Sequence, residues 1–445
     1  MAAMMAIPMT QTDDQHGTSP RKLGVWMAIA LVMGNMIGSG VFLLPQGLAP
    51  FGWNAIAGWG ITIAGALCLA HVLATLSAQH DRAIGPAELV EQSFGPLAGF
   101  LIGFSFWVSV WTGCVTIAVG AVSYMASFLP ILGQHPSLAA LAIIWLMTGI
   151  NLLGVRSAGS FQLVTTVLKL TPLAVVAILI GLILSHRGMA SLAPYPAAGL
   201  SLPDANAAAA MTLWAMVGFE AACAASHKIK DPQRNVPRAT FYGALFTGLV
   251  YLIVCSGITL MLPPDKVAAS NAPFELFVAT FWSPGPASFV ALFAAISAIG
   301  AVNGWTLVQG ELPLEMARRG MLPQWFGRTR DNGVPVNGLL SATALGSALI
   351  FANSSQSMGG LFTFMALLTT SVTLWLYLAC ALVALKQKVA TPFAMAGLAF
   401  GVWSLWGAGL TASSLSIVLM VSGLPLYWWA RRKSLPAKDL SASTS

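Results

Sequence analysis

The feature that most restricts this chain is a succession of apolar runs, each about as long as a bilayer is thick, separated by short segments that hold nearly all of the charge. A helical span needs about 20 apolar residues to cross roughly 30 Å of hydrocarbon, and at that depth only helices or closed barrels satisfy their own backbone. Dividing the runs at Gly, Pro and charge predicts twelve helical spans, near residues 23–49, 54–78, 97–129, 137–155, 160–185, 206–225, 239–262, 286–314, 335–352, 359–385, 391–410 and 412–430. Of the 445 residues only 8% are charged and 57% are hydrophobic, whereas a soluble chain carries roughly 25% charged residues. No soluble fold could keep that much apolar surface from water. An all-α membrane protein of about twelve transmembrane helices is expected, with its longer loops at 80–92, 226–238 and 316–335 and no soluble domain between spans.

A net charge of +7 would suit an anionic partner if the basic residues were clustered for one. They are not. Of the 21 Lys and Arg residues, Arg187 and Lys266 fall on one face of the predicted topology and Lys169 falls inside a span, while all the others lie on the opposite face. This is the positive-inside pattern; it puts both termini in the cytoplasm of a multi-pass protein of the cell inner membrane and gives no reason to expect nucleic acid as a partner. The five cysteines lie in apolar stretches without metal-ligand spacing, so neither a disulfide framework nor a metal site is expected. Residues 1–20 read as a short polar tail with no cleaved signal.

Two of the predicted spans are interrupted by small residues. The first reads Gly34-Asn35-Met36-Ile37-Gly38-Ser39-Gly40-Val41-Phe42, and the sixth reads Trp214-Ala215-Met216-Val217-Gly218-Phe219-Glu220. Small residues also serve close helix packing. Three of them in a row, matched by Gly218 in the sixth span, favour a binding site instead, because backbone freed at membrane depth is tolerated where it lines a cavity. An interruption in the first span and another after five spans is the arrangement an inverted five-plus-five repeat produces.

These residues carry a resemblance. Gly34 through Pro45, Leu213-Trp214 through Glu220, Lys230-Asp231-Pro232-Gln233-Arg234-Asn235-Val236-Pro237, Gly304-Trp305-Thr306-Leu307 and Ala317-Arg318-Arg319-Gly320-Met321-Leu322-Pro323 occur in this order and spacing in the amino acid–polyamine–organocation transporters. Over residues 21–430 the chain is similar to their bacterial basic amino acid/polyamine antiporters, of the arginine/agmatine exchanger kind. The resemblance implies the LeuT-like fold with broken helices one and six. It divides the chain into a tail (1–20), a ten-helix transport core (21–385), two additional helices (386–430) and a second tail (431–445).

The same resemblance implies a substrate site. An unwound stretch at Ile37, Gly38, Ser39 and Gly40 would present N–H groups and a positive helix end to a substrate carboxylate, and carbonyls near Ala215, Val217 and Gly218 would accept from its ammonium. Trp214 and Trp305 match aromatic positions that gate the substrate and stack on a cationic side chain, and indole is the best ring for that contact. Cys114 replaces an Asn of the arginine exchanger, Phe106 replaces a gating Tyr, and the polar contacts of span ten find no counterpart around Met365. Arginine itself is therefore not implied.

Ionisable residues inside spans cost at least about 2.5 to 3.5 kcal/mol at the bilayer centre, which makes them functional candidates. Glu220 follows the second interruption at a position where the antiporters also carry Glu and would gate or carry protons. Lys169 stands where proton-coupled permeases of the same superfamily carry Lys; burial disfavours the charged form of any amine, which suits a residue that must take up and release a proton. His71 is assigned to packing, and Glu311 and Glu315 to ion pairing with Arg318 and Arg319. An intramembrane enzyme, an ATP-driven pump and a receptor or channel-like assembly are the alternatives. No HExxH, GxSxG or GxxxxGK[ST] is present, nor a repeated pore element. The expectation is a secondary transporter of amino acids or polyamines with no cofactor. Antiport stands ahead, proton symport through Lys169 is the alternative, and a homodimer stays open.

Overall fold

A computed structural model describes residues 23–38, 40–79, 85–154, 158–224, 229–331 and 333–434. The described residues form helices joined by short turns. They begin with α1 (Val25–Met36) and α2 (Gly40–Leu48), then α3 (Trp53–Ala78), α4 (Pro86–Phe94), α5 (Pro96–Met125), α6 (Pro130–Gln134) and α7 (Pro136–Leu152). Next come α8 (Ala158–Arg187), α9 (Leu202–Met216), α10 (Ala221–Ala224), α11 (Pro232–Met261), α12 (Pro264–Ala269) and α13 (Pro273–Phe281). The last are α14 (Pro284–Arg318), α15 (Val336–Ala352), α16 (Met358–Gln387), α17 (Thr391–Gly407), α18 (Gly409–Val421) and α19 (Leu424–Ser434).

Among the described residues, seven helical segments are long and apolar enough to cross a membrane, and α1 with α2, bent by 54° across their break, makes an eighth. The helices α7 and α15 are apolar but shorter, at 17 residues each. The chain is an all-helical, multi-pass membrane protein.

Burial sorts these helices by position. The apolar windows of α5 and α16 are 89% and 83% buried, against 17% for residues 409–432, so the first two run through the centre and the last lies on the outside of the bundle. Central helices can sit close because their inward faces are small: Gly103, Ser105, Ser109, Gly113 and Gly120 on α5 are all buried. Around this centre, α14 and α16 pack on α5, and α3 packs on α9 and α11.

Two polar contacts between helices fall where proline removes a backbone donor. Pro313 inside α14 cannot donate to the carbonyl of Gln309, and the indole Nε1 of Trp107 on α5 donates to that oxygen instead, at 2.8 Å. Pro45 inside α2 likewise leaves the carbonyl of Val41 without its helical donor, and the Cys255 thiol on α11 approaches it at 4.0 Å. Other side-chain bonds also join helices: Thr62 on α3 donates to Ala209 O at 3.0 Å, and Thr148 and Thr343 join α7 to α15 at 2.7 Å.

The loop region around α4 corrects one expectation. Arg319 at the end of α14 pairs with Glu91 (2.5 Å) and Glu88 (3.6 Å) of α4; Arg318 and Glu311 interact electrostatically, but no ion pair among the described residues joins Arg318 or Arg319 to Glu311 or Glu315 within 4.0 Å. Lys386 at the end of α16 donates to Ser93 O at 2.5 Å and lies over the Phe94 ring at 4.9 Å. Thus α4 ties the ends of α14 and α16 together. The spacing of Glu311 and Glu315 from Arg318 invited a local pairing, but Arg319 meets carboxylates more than 200 positions away in the chain. His71 packs against Phe393, with ring centroids 4.3 Å apart, in keeping with its assignment to packing.

Candidate functional site

Both predicted interruptions are present. α1 stops at Met36, and Ile37 turns to an extended conformation (φ −73°, ψ 90°). The Gly38 N–H, which a continuous helix would direct at Gly34 O, bonds instead to Met36 O at 2.8 Å. Two side chains from neighbouring helices take up freed carbonyls. Lys169 Nζ on α8 donates to Gly34 O at 3.4 Å, and the Tyr251 hydroxyl on α11 donates to Met36 O at 2.9 Å. α9 stops at Met216 because Val217 is extended (φ −61°, ψ 137°) and Gly218 follows at φ +114°. Only glycine takes that value without strain. A Cβ on Gly218 would also meet Asn35 O at 3.3 Å, so the two breaks lie against one another.

Beside the breaks is a narrow cleft. α1, α2 and the break between them line it with Asn35, Met36, Gly38, Gly40 and Val41, and α5 with Phe106, Ser109, Val110, Gly113 and Ile117. The remaining wall is Trp214, Ala215 and Val217 at the end of α9, Trp305 on α14, and Thr369 and Thr373 on α16. Seven expected residues therefore share one cleft: Gly38, Gly40, Phe106, Trp214, Ala215, Val217 and Trp305. Ser39 lies outside the described residues.

Four expected residues are close by without lining it. Ile37 is buried in the apolar core, and Gly218 sits behind the wall against Asn35. Lys169 is buried beside the end of α1, with no carboxylate partner among the described residues. Glu220 is buried too; its Oε2 accepts from the Tyr377 hydroxyl on α16 (2.9 Å) and from the Gly218 N–H (3.2 Å), while Phe219 stacks on the Tyr377 ring at 4.8 Å. Glu220 thus fastens the α9 break to α16. Cys114 points elsewhere, its thiol against the Thr306 hydroxyl on α14.

Residues that sequence reasoning missed supply much of the polarity. Ser109, Thr369 and Thr373 donate their hydroxyl hydrogens to carbonyls of their own helices, Phe106 O (2.7 Å), Met365 O (2.8 Å) and Thr369 O (2.8 Å). Each hydroxyl oxygen can still accept a further hydrogen bond, although the Thr369 oxygen also lies 3.4 Å from the Thr116 hydroxyl on α5. Opposite in character is the start of α2, whose first-turn N–H groups have no intrahelical acceptors and form the positive end of the helix dipole. The cleft therefore has a donor region and an acceptor region, and its lining contains no ionisable side chain. That combination suits a small molecule with an anionic and a cationic group. Among the described residues no three His, Cys, Asp or Glu side chains are grouped to hold a metal.

Two helices broken side by side, with a polar-ended cleft at the break, define a membrane carrier of the broken-helix class. The family model described as Amino acid permease matches residues 23–436, and the chain belongs to that family. It is a transporter and not an enzyme. Over 352 residues, 77% of this chain and 78% of the relative, it is 33% identical to the cadaverine/lysine antiporter of Escherichia coli strain K12. Over 423 residues, 91% of this chain and 95% of the relative, it is 28% identical to the putrescine transporter of the same strain.

Proposed function

We propose that the protein exchanges an amino acid for an amine, or for a second amino acid, across the cytoplasmic membrane by alternating access. The carrying observation is the division of the cleft into a donor region at Gly40 and an acceptor region at Ser109, Thr369 and Thr373. A zwitterionic amino acid satisfies both regions at once. Its carboxylate meets the α2 N–H groups, and its ammonium meets hydroxyl oxygens and the carbonyls at the end of α9. Trp305 lines the cleft, and an indole face turned to it would attract a cationic side chain, which supports lysine-type substrates and the corresponding diamines. The names of the relatives point to the same chemistry.

On this reading the chain makes twelve spans with both termini in the cytoplasm of an inner membrane. Residues 21–385 form an inverted-repeat transport core, and two helices are added after it. Glu220, bound to Tyr377 and Gly218, holds the sixth span against the tenth and must let go when the core rearranges. A screen of radiolabelled amino acids and diamines for uptake into proteoliposomes tests the reading; uptake of none of the basic amino acids or diamines would refute it.

A second reading rests on Lys169. Its ammonium holds Gly34 O at 3.4 Å, at the end of the broken first helix, so loss of its proton would loosen α8 from α1. That contact favours proton symport, and an imposed pH step distinguishes it from exchange.

A further inference from the structure

We infer that the indole N–H of Trp214 is a hydrogen-bond donor to the substrate carboxylate and makes the cleft prefer an amino acid over the amine left when its carboxylate is removed. The inference rests on the transport reading above and adds the group that sets selectivity within it. Trp214 is 8% exposed, lines the cleft, and its Nε1 has no hydrogen-bond partner. Nε1 also lies 2.5 Å from where a Cβ on Gly40 would be, so it faces the first residue of α2. Indole nitrogen donates and never accepts. The first-turn N–H groups of α2, a helix of nine residues, also only donate. The two sets of donors lie in contact at the cleft wall, so an acceptor that settles beside both, with a small shift of the indole, satisfies them together, and a carboxylate offers two oxygens, one for each set.

The orientation of the ring supports this role. The far edge of its six-membered ring lies toward α5, where a Cβ on Gly113 would be 3.6 Å from Cη2, and that contact helps keep the nitrogen edge toward α2. Trp59 and Trp111 also carry buried, unpartnered Nε1 atoms, but neither lines the cleft. Among these three, only Trp214 can meet a substrate.

The test compares lysine with cadaverine, which share a chain and a cationic end and differ by the carboxylate. Binding of each radiolabelled compound to purified protein in detergent is measured for wild type, for Trp214→Phe, and for protein with benzothienylalanine at 214, which keeps the ring size and replaces N–H by sulfur. Both variants should lose about tenfold or more in lysine affinity, the scale of a hydrogen bond to a charged group, with cadaverine changed far less. Equal losses for the two ligands, or no loss for either, would overturn the assignment and leave Trp214 as packing. If wild type binds neither compound, the transport reading fails first, an outcome separable from failure of the selectivity claim.

Discussion

Gly40 and Gly38 stand on either side of the same break, and the structure assigns them opposite tolerances. An alanine at 40 would put its Cβ 2.5 Å from Trp214 Nε1, 3.1 Å from Cδ1 and 3.2 Å from Cε2. Atoms of this size rest about 3.5 to 4.0 Å apart, so the indole must withdraw by roughly 1 Å. Overpacking of this kind costs about 1 to 3 kcal/mol; an indole pushed into the substrate's space makes the bound state carry that cost, and each 1.4 kcal/mol is a factor of ten in affinity. Gly40→Ala is therefore expected to weaken substrate binding by about 10- to 100-fold. A Cβ at Gly38 meets nothing within 4 Å, and Gly38 is not among the positive-φ residues, so Gly38→Ala should bind within a fewfold of wild type. The assay is equilibrium binding of labelled lysine to purified protein, with thermal unfolding to establish that each variant is folded. Wild-type affinity in Gly40→Ala, or equal damage from both substitutions, would refute the placement of Trp214 over the start of α2.

Three further outcomes follow from the same geometry. Tyr377→Phe removes one of two donors to the buried Glu220 Oε2 and should cost about 1 to 3 kcal/mol, read as a lower melting temperature, with Tyr242→Phe on an exposed ring as the neutral control. Trp305→Leu should weaken lysine and cadaverine more than neutral amino acids, because only the former gain from the ring face; equal losses would reduce Trp305 to packing. Lys169→Met removes the donor to Gly34 O and should abolish any uptake into substrate-free vesicles driven by an inward pH step. If wild type shows no such uptake, Lys169 is a fixed structural cation and proton symport is excluded.

The breaks were legible because their cause is local. Glycine at 218 and the small residues at 38–40 weaken a helix wherever it lies, and the glycine at 218 in fact holds φ +114°. Lys169 and Glu220 were legible because a charge deep in an apolar run is rare whatever surrounds it. The α5 and α16 walls were not, since every position there is apolar or small and only packing chooses a face. On α5 the chosen face carries Phe106, Ser109, Val110, Gly113 and Ile117. Cys114 follows Gly113 by one residue, about 100° round the helix, which carries its thiol toward Thr306 on α14. On α16, where no polar counterpart stood out around Met365, Thr369 and Thr373 line the cleft one and two turns further along the same helix face. Tyr377 continues that progression to the carboxylate of Glu220, 157 positions away in sequence, a contact that no local pattern announces.

The measurement that bears most directly on the exchange mechanism is uptake of labelled lysine into proteoliposomes at equal pH on both sides, with vesicles either empty or loaded with unlabelled cadaverine. Exchange through the cleft predicts uptake by loaded vesicles only, with Gly40→Ala reducing it strongly and Gly38→Ala leaving it near wild type. Equal uptake by empty and loaded vesicles, or uptake by Gly40→Ala protein at the wild-type rate, would contradict the account.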